Sequence, residues 1–237
     1  NGFIEDEIVK YVIADVNFDL ALVPQMIMRL KSTKPNVMVV MATPIAQFAK
    51  NAVKEYPLVF NAITDPLAAG LIKKQDKADN NMTGASDRQD LTILLTFAKQ
   101  LIPSATKVGL LYATGEANDI ALLKMLQCAA TKINMLVVAV PIDEARDVPL
   151  KMQAFRDKVD FIYVGTSGIV QPALPAIVAV AKQLKIPIFN VDAAAVMQHQ
   201  VLASFGVNYY KVGVNAGQIV AKILNGVEVS SIAPSYP

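Results

Sequence analysis

A single cysteine and a single histidine in 237 residues remove much of the chemistry that a chain of this size could carry. With Cys128 alone no internal disulfide can form. Its place in the helical pattern ALLKMLQCAA reads as a small buried side chain rather than a reactive thiol. His199, in VMQHQV, has no neighbouring Cys or His, so a metal site is not expected and a place at the surface or the edge of a core is. No histidine-based triad forms around Ser167, because GTSG lacks the five-residue spacing of a nucleophile elbow. Phosphate loops are missing too: neither GxGxxG nor GxxxxGK(S/T) occurs, and Gly213 and Gly217 fall in a helical stretch where close helix packing accounts for them.

Charge of one sign is also lacking. The 22 basic and 20 acidic residues leave a net +2, with no basic tract and no aromatic-studded Lys/Arg stripe, so nucleic acid is not an expected partner. Lys, Gln or Pro interrupts every long apolar run, and none approaches the ~20 clean residues that span a bilayer. Sequence repeats and low-complexity segments are absent. The chain opens at Asn1 without a methionine; a processed or trimmed start is expected, and a missing signal peptide carries no information about location.

What is present is apolar: 54% of the residues are hydrophobic and 18% charged, enough for one large domain or two small ones with proper cores. Short β-rich runs, VMVVM (37–41), VGLLY (108–112), MLVVAV (135–140), FIYVG (161–165) and IPIFNV (186–191), alternate with amphipathic stretches of helical length. The helices are clearest in LALVPQMIMRLKST, PIAQFAKNAVKEY, DLTILLTFAKQLI, IALLKMLQCAATKI and YYKVGVNAGQIVAKILNG. This alternation predicts βαβ units and an α/β fold with parallel sheets.

The strand exits carry the information about function. VMVVMATP ends in Thr43-Pro44, VFNAITDP in Thr64-Asp65-Pro66, MTGASD in Ser86-Asp87, LLYATGEAND in Glu116 and Asn118, FIYVGTSG in Thr166-Ser167, and IPIFNVD in Asn190 and Asp192. In a parallel sheet these positions fall at the carboxyl edge, where open α/β folds bind ligands. Each alone reads as a helix cap; Asp65, for one, is placed to be an N-cap with Pro66 at the first helical position. Six such exits together point to one shared, small, polar ligand, bound without chemistry.

The succession ATP (42–44), VFNAITDPLAAGLI (59–72), NMTGASD (81–87), VGLLYATGEAND (108–119), FIYVGTSGIV (161–170), IPIFNVD (186–192) and FGVNYYKVGVNAGQIVAKILNG (205–226) resembles the tryptophan/tyrosine-type group of ABC-transporter substrate-binding proteins. The resemblance implies a type I periplasmic-binding-protein fold: two Rossmann-like lobes joined by a three-crossing hinge, with the ligand between them. The crossings are expected near Ser86-Asp87, Gly206-Val207-Asn208 and Gly226, giving a first lobe of 1–86 and 208–226 and a second of 87–207 and 227–237. The family's first strand and helix lie upstream of NGFIEDEIVKYVIADV and are expected to be missing. YATGEAND stands where the family tends to read YNPGEANS, and Gly165-Thr166-Ser167-Gly168 where it tends to read PTDN.

The resemblance further implies an extracytoplasmic or periplasmic protein, free or lipid-anchored. It would be monomeric, need no cofactor, and deliver an amino acid, an aromatic one favoured, to a membrane permease. For such a ligand Asp65, Asp87 and Asp192 are candidates for the ammonium, with Asp65 first, because the TDP motif matches in full. Thr43, Thr64, Ser86 and Thr166 would serve the carboxylate, together with backbone N–H groups at helix starts. Tyr112 and Tyr209 are candidates for the walls of a side-chain pocket, against ordinary packing at a lobe surface. The alternatives are a ligand-sensing regulator domain of the same fold, an α/β enzyme, a purely structural domain, and a binder of another metabolite such as a sugar.

Overall fold

The computed structural model describes residues 8–17, 19–198 and 200–237, so His199 lies outside the described residues. In chain order the elements are α1 (Val23–Ser32), β1 (Met38–Met41), α2 (Thr43–Ala52), β2 (Leu58–Ile63), β3 (Met82–Ser86), α3 (Leu91–Leu101), β4 (Lys107–Ala113), α4 (Ala117–Lys132), β5 (Leu136–Ile142), α5 (Val148–Met152), β6 (Phe161–Val164), α6 (Leu174–Leu184), β7 (Ile188–Asn190), α7 (Ala194–Met197), β8 (Ala203–Ser204) and α8 (Tyr209–Leu224). Every strand pairing within the two sheets is parallel. The chain forms two compact units: the described residues up to Arg88 with Asn208–Pro237, and Gln89–Val207.

The chain passes from one unit to the other at Arg88–Gln89 and at Val207–Asn208. Residues 227–237, expected on the second lobe, stay with the first unit. Ser235 donates its N–H to the Gly84 carbonyl (2.8 Å) and accepts from the Ser86 N–H (2.8 Å), while Thr83 donates its hydroxyl to the Ile232 carbonyl (2.8 Å). The tail lies beside β3 and supplies partners that this outer strand would otherwise lack.

The first unit has a three-stranded sheet in the order β1-β2-β3. Met38, Val40, Leu58, Phe60, Ile63 and Met82 pack with Val23 and Ile27 of α1 and Ala46 and Ala49 of α2 into one core. α8 packs against β2 and β3, burying Val212, Ala216 and Ile219. Gly84 in NMTGASD is required by contact, since a Cβ there would lie 2.0 Å from the Phe60 carbonyl oxygen. Lys50, on α2, fastens the long β2–β3 connection: its ammonium donates to the carbonyls of Gly70 (2.9 Å) and Leu71 (2.7 Å) and pairs with Asp79 at 2.6 Å.

The second unit has five parallel strands in the order β5-β4-β6-β7-β8. Its strands are apolar without alternation because both faces are covered. Leu111, Ile162 and Val164 meet α5 and α6 through Val148, Met152, Ile177 and Val178. Leu110, Phe161 and Tyr163, one residue out of phase, meet α3 and α4 through Leu94, Leu95, Leu122 and Leu126. Cys128 is exposed, against expectation, because α4 buries Ala121, Leu122, Leu126, Ala129 and Ala130 and position 128 falls off that face.

Candidate functional site

The carboxyl edge of the first sheet gathers Thr43, Thr64, Asp65, Ser86 and Asp87. Thr43 is buried at the first position of α2, behind Ala42, whose φ of 69° and ψ of 145° is a strained conformation for a residue with a side chain. β2 bulges at Ala62 (φ 55°), where its register with β3 shifts. The helix expected after Asp65 is only a turn. Asp65 Oδ1 accepts from the Ala68 N–H (2.9 Å) as a cap would, but Gly70 (φ 72°) reverses the chain and the N–H groups of Leu71 and Ile72 return to the Pro66 carbonyl. The other Asp65 oxygen is held by Arg88 at 3.1 Å.

Ser86 donates its hydroxyl to the Ile63 carbonyl (2.7 Å), and the Asp87 N–H donates to the same oxygen (3.2 Å), so the polar exits of β2 and β3 are stitched together. Asp87 is 4% exposed; its Oδ2 accepts from the Tyr209 hydroxyl (3.2 Å), the Thr64 hydroxyl also bonds the carboxylate, and Oδ1 has no partner. Burial pushes its carboxyl above the usual range, opposed by the Tyr209 and Thr64 hydroxyls and its own backbone N–H. Tyr209, at the first position of α8, is exposed on its ring and spends its hydroxyl on Asp87.

The second unit joins Glu116, Asn118, Thr166 and Ser167 in one network. Glu116 Oε2 accepts from the Gly168 N–H (2.9 Å) and from Asn118 Nδ2 (3.0 Å), and the same amide group reaches Asp119 Oδ1 (3.3 Å) and the Thr166 carbonyl (3.5 Å). Asp119, which the sequence did not single out, is the most deeply buried member. Its Oδ2 accepts from the Ala113 N–H at 2.6 Å and the Ser167 hydroxyl bonds it as well. Burial raises its carboxyl to about 6, against those two donors, with the neighbouring Glu116 charge adding to the rise. Asn118 Oδ1 is buried without a partner.

The remaining candidates are not gathered into that network. Asn190 is fully buried and exchanges hydrogen bonds with Gln171 (3.2 and 3.1 Å), a partner the sequence gave no sign of. Asp192 is exposed and caps the short α7 through the Ala194 N–H (2.9 Å). Tyr112 packs partly buried against the α3/α4 core, the ordinary role set against a pocket wall. Arg88 was also unmarked, although it directly follows Asp87. Among the described residues no group of three His, Cys, Asp or Glu could hold a metal, and no helix is long and apolar enough to cross a membrane.

Residues 2–236 match the model of a family described as ABC transporter substrate binding protein. The chain belongs to this family. The substrate-binding protein is 31% identical over 231 residues to the tyrosine-binding protein of Clostridioides difficile, covering 98% of this chain and 67% of that one. It superposes on a conserved domain protein of Vibrio cholerae with a TM-score of 0.92 and 30% identity, covering all of this chain and 79% of the other. A Streptococcus pneumonia domain in complex with L-Trp matches with a TM-score of 0.91 and 26% identity, over 98% of the binding protein and 79% of that chain. The expected family and its α/β architecture of two parallel-sheet lobes both hold for this binding protein.

Proposed function

We propose that this protein binds an α-amino acid with an aromatic side chain, outside the cytoplasm, and delivers it unchanged to an ABC permease. The observation that carries the reading is chemical: Asp87, Glu116 and Asp119 are buried, and none pairs with a Lys or Arg among the described residues. Buried carboxylates without a cation, beside hydroxyls and helix starts, suit a ligand with an ammonium and a carboxylate. The tyrosine- and L-Trp-binding relatives supply the class of side chain. Thr43 and Thr166 are candidates for the ligand carboxylate, together with backbone N–H groups at helix starts; the Thr64, Ser86 and Ser167 hydroxyls already serve Asp87, the Ile63 carbonyl and Asp119, and the Tyr209 ring is a candidate wall.

Isothermal titration with tyrosine, tryptophan and phenylalanine tests this. One equivalent should bind, and mass spectrometry after release should return the ligand intact. Absence of binding to all three refutes the ligand class, and formation of a product refutes the transport role.

A further inference from the structure

We propose that Asp87, rather than the Asp65 of the conspicuous TDP stretch, is the carboxylate that receives the ligand's ammonium. This rests on the amino-acid reading above. The choice follows from asking how each carboxylate at the sheet edges is already satisfied. Asp65 has one oxygen on Arg88 at 3.1 Å and the other on the Ala68 N–H at 2.9 Å, so its charge is balanced and both oxygens are engaged.

Glu116 and Asp119 lack a cation but stand at the N-terminus of the 16-residue α4, whose dipole favours negative charge, and each accepts a backbone N–H. Asp192 is exposed and caps the short α7 through the Ala194 N–H. Asp87 differs from all four. It is 4% exposed, its donors are two hydroxyls and its own backbone N–H, no cation reaches it among the described residues, and Oδ1 accepts nothing. Asn61, on the adjoining β2, leaves a second buried oxygen without a donor in the same unit.

A buried carboxylate with an open oxygen is costly until a cation arrives, so the free site is poised for an ammonium rather than for a neutral group. Burial also holds the Asp87 carboxyl above its ordinary range, and a bound ammonium would return it toward that range. The Tyr209 hydroxyl holds Oδ2, and the Thr64 hydroxyl also bonds the carboxylate, so together they orient it. They are positioning groups on this view.

The test compares each amino acid with its analogue lacking the amine. Wild type and Asp87→Asn are titrated with L-tryptophan and 3-(indol-3-yl)propionate, and with L-tyrosine and 3-(4-hydroxyphenyl)propionate. Wild type should prefer the amine, and the Asn variant should lose about 10- to 100-fold for the amino acid while its affinity for the desamino analogue stays near that of wild type. The ligand-free Asn variant should melt no lower than wild type at neutral pH, because a desolvated charge has been removed; should it melt lower, Asp87→Ser gives the same readout. An amine preference that survives in both variants overturns the assignment, and its loss in Asp65→Asn instead moves it to Asp65. Wild type that binds neither amino acid overturns the parent reading, and the assignment falls with it.

Discussion

Two buried aspartates, one in each unit, make opposite use of the same residue. Asp79 in the first unit is 7% exposed and Asp119 in the second is 1% exposed. Lys50 sits on Asp79 at 2.6 Å and holds its carboxyl below the usual range despite the burial. Asp119 has only a backbone N–H, hydroxyl and amide donors, and burial lifts it to about 6. Burial alone therefore does not decide the direction in which these two carboxyls shift; the cation on Asp79 does. Asp79 serves the fold by clamping a loop, whereas an aspartate without a cation is a standing cost that a ligand can relieve.

The largest expected effect tests whether the second unit's two-faced core outweighs these polar devices. Phe161 is fully buried, with its ring 5.1 Å from that of Phe189, and Phe161→Ala should cost about 3–5 kcal/mol in urea denaturation. A loss under about 1 kcal/mol would mean that the site collapses around the missing ring. Next comes the clamp. Lys50→Met removes the Asp79 pair and two carbonyl contacts and should cost about 2–4 kcal/mol. Because the Asp79 carboxyl is lowered, its contribution is present above its ordinary value and lost as pH falls through the lowered one. The gap between wild type and variant should accordingly narrow in acid.

The mirror experiment is Asp119→Asn. A raised carboxyl stabilises the fold fully below its ordinary value of 3.8 and loses that contribution as pH rises through about 6. The stability of the Asn variant relative to wild type should therefore climb by about 2–3 kcal/mol between pH 4 and pH 7, read from chemical denaturation at each pH. A flat difference would show that Asp119 stays charged throughout, and the contrast with Asp79 would disappear. The smallest effect is expected at Arg88, whose side chain is 36% exposed. Arg88→Ala should cost only about 0.5–1 kcal/mol in the same assay, and a larger loss would make the Asp65 pair part of the core rather than of the surface.

Much of this was legible in the sequence, for definite reasons. Continuous apolar strands such as FIYV (161–164) announce a sheet covered on both faces, and the polar residues after them fall on its carboxyl edge because all the strands run the same way. Ser86 with Asp87, and Glu116 with Asn118, could be placed at that edge for this reason. What stayed hidden depends on contacts between distant positions. Arg88 follows Asp87 directly yet pairs with Asp65, 23 residues earlier, so adjacency would have neutralised the wrong aspartate. Asp119 looked like one more polar residue in the first turn of a helix. Cys128 was misjudged because small and apolar was taken for inward-facing, and the tail at 227–237 because a pairing with β3 leaves no periodicity in so short a segment.

That pairing bears on how the molecule behaves in company. The Gly84 carbonyl and the Ser86 N–H belong to the outer strand of a three-stranded sheet, and Ser235 occupies both. A strand so occupied offers no template to a second molecule. Trimming the residues from Ile232 onward would bare those groups beside an all-buried strand, and the loss would register first as self-association during concentration, before any change in ligand affinity.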